Sequence, residues 1–306
     1  ITFFIMLVNM FFRPIRMLAD RVNVLQMGMV ASERVFKVMD INSVIDSVGK
    51  KAAKDIQGNI EFRNVWFAYN NEDWVIRNLS FSAKSGETIA LVGATGAGKT
   101  SVINLLNRFY EYNKGEILLD GINIRDYELN SLRNNIGVVL QDVFLFSGTV
   151  ANNISLNNPE LSREKIIEAS KRIGAHGFIS KLPDGYDFNV MERGGMLSVG
   201  QRQMISFIRA YLYNPRILVL DEATSSIDTE TEQLIQYATT KLTENRTCIL
   251  IAHRLATIQK ADRILVFEKG EIIEQGSHRE LLKQNGQYKK LVELQFNTLD
   301  KRSYVL

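Results

Sequence analysis

The 306-residue chain is poor in the residues that build most metal and disulfide sites. Its one cysteine, Cys248, excludes a disulfide framework and any cysteine-cluster zinc site. His176, His253 and His278 are its only histidines, too few for a histidine-rich metal centre. With 4 prolines, no internal repeat and no low-complexity tract, the chain is expected to form a compact, cytosolic domain. Charge of either sign is nearly balanced, 37 Lys+Arg against 34 Asp+Glu for a net +3, which leaves no electrostatic footprint for a nucleic-acid partner. What is present is ordinary globular material, 45% hydrophobic and 23% charged, and that excludes disorder.

The start departs from these averages. Residues 1–12 read ITFFIMLVNMFF, and Arg13, Pro14 and Arg16 follow. Twelve helical residues span about 18 Å against a hydrocarbon core of about 30 Å, so this run cannot cross a bilayer alone. No basic stretch precedes it and no small-residue cleavage site follows, so it is not a signal peptide. Basic residues just past an apolar run mark the cytoplasmic end of a span, and the segment is expected to be the end of a transmembrane helix. Leu18, Val22, Leu25, Met29, Phe36 and Met39 recur at helical spacing among Asp20, Arg21, Glu33, Arg34 and Lys37, extending the helix to about Asp40. Three regions are expected: this helix and its extension over 1–40, a polar linker over 41–58, and a globular domain over 59–300.

Within that domain the pattern predicts strands at Ile60–Ala68, Leu79–Ala83, Thr88–Val92, Gly115–Asp120, Gly137–Gln141, Arg216–Leu220 and Thr247–Ala252. A hairpin is expected at Arg263–Phe267 and Glu271–Glu274, turning at Lys269-Gly270. Helices are expected at about Lys99–Phe109, through 145–180 and at 201–213, with Ser277–Glu280 as a capping box opening another. Strands alternating with helices argue an α/β fold with a mainly parallel core, carrying an inserted helical subdomain at about 143–205.

Gly93-Ala94-Thr95-Gly96-Ala97-Gly98-Lys99-Thr100 fits G-x-x-x-x-G-K-[ST] between a strand and a helix, the context that gives this motif its meaning. Glycines let the backbone wrap a polyphosphate with its N–H groups, and the helix adds the positive end of its dipole. Lys99 supplies a point charge for the outer phosphates and the Thr100 hydroxyl a Mg²⁺ ligand. Thr95, Ala97 and Ser101 complete the stretch expected to line the nucleotide. Ile217–Leu220 reads as a strand buried on both faces, and Asp221 ends it, where a carboxylate holds Mg²⁺ through water. Glu222 follows and is the candidate to orient or deprotonate an attacking water, with capping of the next helix as the alternative.

Leu197-Ser198-Val199-Gly200-Gln201, ahead of a helix and upstream of Asp221, resembles the LSGGQ signature of ATP-binding cassette (ABC) proteins, which other P-loop classes lack. Further residues follow that family's order. Tyr69 is similar to the aromatic that stacks on adenine, with Trp66 and Phe67 as competitors; Gln141 to the glutamine that senses magnesium and the membrane domain; Ser225-Ser226-Ile227-Asp228 to the loop that crosses to a partner subunit; and His253 to the histidine that contacts the γ-phosphate. Arg13-Pro14-Ile15 and Ala31-Ser32-Glu33-Arg34 resemble the exit from the last transmembrane helix of an exporter-type half-transporter of the multidrug or lipid kind. One departure stands out. Val199 replaces a glycine, and a β-branched residue there demands an ordinary backbone conformation.

The resemblance implies a P-loop NTPase core with an antiparallel β subdomain, preceded by the end of a transmembrane helix. It implies ATP and Mg²⁺, with Thr100, Gln141 and Asp221 on the metal and Glu222, His253 and Gln141 as catalytic residues. It implies a second ABC subunit, identical or related, docked head to tail so that Ser198, Gly200, Gln201 and Asp228 of one chain meet the nucleotide of the other. The remaining partners are the membrane and a transmembrane domain of the same chain, in a multi-pass cell-membrane protein whose ATPase faces the cytoplasm. The expected function is ATP-driven efflux of a lipophilic or drug-like substrate; the alternatives are a soluble ABC ATPase or a less active partner in a heterodimer.

Overall fold

The computed structural model describes residues 1–41, 45, 49–221, 229–252 and 255–294, and it divides the chain into two units, Ile1–Asp46 and Ser47–Leu306. Glu222, Ser225–Asp228 and His253 lie outside the described residues, as does the last part of the expected domain beyond Leu294.

Among the described residues the first unit is one helix, α1 (Thr2–Met39), ended by Asp40. It runs through Pro14, so the apolar start and its polar continuation form a single rod of 38 residues, about 57 Å at 1.5 Å per residue. Its most apolar stretch has a mean hydropathy of 1.4, and α1 is long and apolar enough to cross a bilayer. None of its residues is buried.

The second unit opens with an antiparallel sheet: β1 (Ile60–Ala68), β2 (Trp74–Ala83), then, after β3 (Thr88–Gly93) and α2 (Lys99–Leu106), β4 (Lys114–Leu119) and β5 (Ile122–Asn123), in spatial order β2-β1-β4-β5. α3 (Leu129–Asn134) leads into β6 (Ile136–Val139). Four helices follow before the next strand: α4 (Val150–Ser155), α5 (Arg163–Ile173), α6 (His176–Ile179) and α7 (Val199–Tyr213). The chain then runs β7 (Ile217–Asp221), α8 (Thr229–Thr243), β8 (Thr247–Ile251), α9 (Leu255–Ile258), β9 (Arg263–Glu268), β10 (Glu271–Gly276) and α10 (His278–Lys283). The second sheet has the order β10-β9-β3-β8-β7-β6, parallel except for the β9–β10 hairpin.

The parallel strands are buried on both faces because each face meets a different core. Ile217 and Val219 of β7, with Ile249 and Ile251 of β8, pack into a cluster shared with the antiparallel sheet and α2. Leu218 and Leu220, with Cys248 and Leu250, turn the other way into the helical insertion. Side chains alternate across a strand, so a continuous apolar run holds two layers together. The differences from the sequence pattern are local. β2 begins five residues earlier than expected, α2 stops at Leu106 rather than Phe109, and β6 ends at Val139 instead of Gln141, because its ladder with β7 stops at Val139↔Leu220. Part of the expected linker is packed: Ala53 and Ile56 are buried, Lys51 bridges Tyr127, and the amides of Gln57, Gly58 and Asn59 donate to the Asp120 carboxylate at 2.7–3.1 Å.

An ionic knot ties the end of α2 to the antiparallel sheet. Buried Arg108 donates to Glu111 Oε1 at 2.8 Å and to the carbonyls of Ile124 and Tyr127. Arg125 takes Glu111 Oε2 at 2.7 Å and lies over the Tyr112 ring. Burial works to raise the Glu111 carboxyl, but hydrogen bonds from Arg125 and Arg108 outweigh it and hold it below the ordinary glutamate range. A depressed carboxyl contributes stability that is fully present above its unfolded-state range and is lost as pH falls through the lowered value. Glu111→Gln is therefore expected to cost about 1–2 kcal/mol near neutral pH, discounted for the partial exposure of the carboxylate. Urea titrations of both proteins should show that difference shrinking in acid; a constant gap would refute it.

Candidate functional site

The site lies beyond the carboxyl ends of the parallel strands, where ligands of such sheets bind. Ile251 of β8 pairs with Leu91 on one side and with Asp221 on the other. Asp221 is thus level with Leu91 two strands away, about 10 Å at ordinary strand spacing, just below the loop that β3 releases at Gly93. Gly93 is required there: its φ is 152°, and a Cβ would run into the Phe267 carbonyl oxygen of neighbouring β9. Gly98, at φ 102°, caps α2 in a left-handed conformation beside Ile76.

Lys99 begins α2 and is only 6% exposed. Its Nζ donates to the carbonyl oxygens of Gly93 at 2.7 Å and Ala94 at 2.9 Å, leaving one of three donors beyond the loop's own oxygens. Burial pushes the ammonium below the ordinary lysine range, while the Asp221 carboxylate pulls it back up. Asp221 is therefore near enough for its charge to oppose the effect of burial on the ammonium. Thr95, Gly96 and Thr100 are exposed. Ala97 is buried, its amide donating to Ala94 O at 3.1 Å, so it shapes the loop rather than presenting a free N–H. Ser101 is also buried and spends its hydroxyl on Tyr69, 3.0 Å away.

Among the three candidate aromatics the packing distinguishes. Phe67 is core, and Trp66 lies on the sheet face where Lys114 sits over it and over Trp74. Tyr69 is 43% exposed and fixed edge-on by Phe67 and Tyr110, with its hydroxyl held by Ser101 and Asn104. Tyr110, itself exposed, widens this platform; its position in a turn after α2 carried no sequence signal.

Gln141 is exposed in the segment after β6, next to an uncovered apolar group that sequence reasoning did not single out: Leu140, Phe144 and Phe146, the two rings meeting edge-on at 5.1 Å. The run Phe144-Leu145-Phe146 outside any regular element was the available signal; only Leu145 is buried.

Ser198 caps α7. Its Oγ accepts from Gln201 N at 3.2 Å while Gln201 Oε1 accepts from Ser198 N at 2.9 Å, so the Gln201 side chain is engaged in the cap. Val199 is the first helical residue and exposed, in the ordinary conformation a β-branched residue requires. The result is a rigid, 15-residue helix whose N-terminus presents a hydroxyl-bearing, positive end outward.

The donors available for a metal are hard oxygens: the Thr100 hydroxyl, the Asp221 carboxylate and the Gln141 amide. Among the described residues no cluster of three or more His, Cys, Asp or Glu forms a protein cage. That donor set fits Mg²⁺, which takes one or two protein oxygens and completes its shell with phosphates and water.

Residues 76–225 match the family model described as "ABC transporter". The chain is 48% identical over 287 residues to the ATP-dependent lipid A-core flippase of Haemophilus influenzae, covering 93% of this chain and 49% of that protein. It is 45% identical over 292 residues to a "probable multidrug resistance ABC transporter ATP-binding/permease protein" of Bacillus subtilis, covering 95% of this chain and 43% of that one. A bacterial Atm1-family ABC exporter solved with ATP bound is similar in structure at a TM-score of 0.78 and 37% identity, over 93% of this chain and 50% of that chain. The chain thus spans about half the length of the curated relatives it matches.

Proposed function

Since residues 76–225 place this chain in the ABC transporter family and carry that family's ATPase domain, we propose that it is the ATP-hydrolysing end of a membrane exporter. The observation that carries the reading is the division of the site. Lys99 opens α2 after β3 and Asp221 ends β7 two strands away, whereas the capped, exposed N-terminus of α7 belongs to a separate helix. A phosphate held by Lys99 and the loop amides is bound on one side only, and an outward-facing helix end of the same electrostatic character is what a second chain needs to cover it. Two chains, identical or related, packed head to tail therefore enclose two nucleotides.

In this scheme Tyr69 stacks the base, Lys99 and the loop amides hold the phosphates, and Thr100, Asp221 and Gln141 hold Mg²⁺. The metal neutralises charge on the outer phosphates when bound. Glu222 accepts the proton of the attacking water, and His253 steadies the γ-phosphate. Ser198 and Gly200 on the partner bind the same phosphate from the opposite side, and Asp228 lies in the crossing loop. Dimer closure is carried to the membrane through Gln141 and the exposed Phe144–Phe146 pair, while α1 supplies the membrane-spanning end of this chain. The names of the relatives, a lipid A-core flippase and a probable multidrug resistance transporter, support a lipid or drug-like substrate. α1 favours a transporter over a soluble ATPase, because its exposed apolar surface needs lipid or neighbouring helices.

A shared site makes activity depend on association. ATP turnover per chain should rise with protein concentration in detergent and level off once dimers saturate. Turnover independent of concentration, in a protein that sediments as a monomer with MgATP, would refute the shared site.

A further inference from the structure

The nucleotide site has a polar neighbour beneath it. Gly200, Gln203 and Phe207 form a buried stripe along α7, spaced so that position 203 belongs to its core face. Gln203 is 4% exposed, and its amide makes no hydrogen bond among the described residues. An amide buried without a partner costs about 1–3 kcal/mol. Around it Val139, Phe207, Leu220, Ile235 and Leu250 offer nothing polar. Among the described residues, the polar groups that share a small cavity of about 20 Å³ with it are Asp221, Thr239 and Thr257. A cavity needs about 10–15 Å³ and two to four polar partners to hold a water, and this one meets both conditions.

We propose that Gln203 is a positioning residue for Asp221: a single water held in this cavity links the Gln203 amide to the Asp221 carboxylate and sets that carboxylate's orientation toward the metal. Asp221 is the residue the cavity and the nucleotide site share. Gln203 stands about one helical turn from Gly200, so the amide travels with the outward end of α7. Docking of that end on a partner's nucleotide shifts α7, and the water passes the shift to this chain's own metal ligand. The two sites of a dimer then report to each other through a buried contact instead of through the strand order. The inference rests on the nucleotide-site reading above.

Gln203→Met keeps the side chain's length and removes its hydrogen bonds. The full chain in detergent is titrated with Mn²⁺, as a spectroscopic stand-in for Mg²⁺, in the presence of a non-hydrolysed ATP analogue, and binding is followed by electron paramagnetic resonance. Outer partners of metal ligands typically tune affinity by about tenfold or more, so Mn²⁺ affinity should fall about tenfold. Metal-free nucleotide affinity and the melting temperature should stay at wild-type values, which a merely structural role would not allow. Thr239→Val, on α8, should lower the same metal affinity by a smaller factor, and it carries the test alone if the methionine variant does not fold. Wild-type Mn²⁺ affinity in the folded variants overturns the proposal, as does a loss matched by equal losses in metal-free nucleotide affinity and melting temperature. Wild-type protein without any nucleotide-dependent Mn²⁺ binding overturns the nucleotide-site reading as well, which separates the two failures.

Discussion

Lys99→Ala should raise the dissociation constant for MgATP by about a hundredfold while leaving the chain folded. Hydrogen bonds to charged groups contribute about 1.5–3 kcal/mol, and a factor of 100 corresponds to about 2.7 kcal/mol. Lys99 is placed to deliver this because its ammonium is already desolvated and bends back over the loop, with the carbonyls of Gly93 and Ala94 as its hydrogen-bond partners among the described residues. Those partners lie at the surface end of β3, where water can replace the lysine. Alanine also suits the first turn of α2, so helix propensity does not suffer. Isothermal titration with MgATP, alongside a nucleotide-free melting curve, separates lost binding from lost fold. An unchanged affinity would remove the phosphate-loop assignment and the mechanism built on it.

Glu222→Gln should lower ATP turnover by about 10²–10⁴-fold, the range that a positioned general base contributes. Glutamine keeps the size of the side chain but accepts no proton at neutral pH. Nucleotide affinity should hold, because Lys99, Thr100 and Asp221 are untouched. The ATP-dependent dimer should persist and become easier to isolate, since the reaction that reopens it is slowed. Phosphate release measured beside size exclusion with MgATP checks both halves of the expectation. A variant that still turns over places the base elsewhere. A variant that neither turns over nor dimerises shows that Glu222 acts in binding or folding instead.

Much of the site is legible in the chain because its signals are contiguous. The phosphate loop needs glycines, a lysine and a threonine at fixed spacing, and Gly93 and Gly98 do adopt the backbone conformations that only glycine enters easily. The cap of α7 is likewise local: Ser198 and Gln201 satisfy each other within one turn. Gln141 shows where local reasoning stops. The apolar run before it looks like a strand reaching Gln141, but strand length depends on a partner, and the β6 ladder stops at Val139. The linker shows the same limit. Residues around Ala53 are polar enough to read as a tether, yet backbone pairing at Lys51 and the Asp120 carboxylate draw the segment onto the larger unit.

The sequence by itself determined the class of machine, because phosphate binding, helix capping and two-sided strand burial are properties of neighbouring residues. The tertiary structure decided which aromatic is left exposed beside the phosphate loop. Trp66, Phe67 and Tyr69 are nearly adjacent, and only the packing of Phe67 into the core and the clamp of Ser101 and Asn104 on the Tyr69 hydroxyl separate them. It also decided that Gln203 lies beside Asp221. Those residues line one cavity because α7 shares a core with β6 and β7, and no local period records which distant carboxylate a buried amide will neighbour.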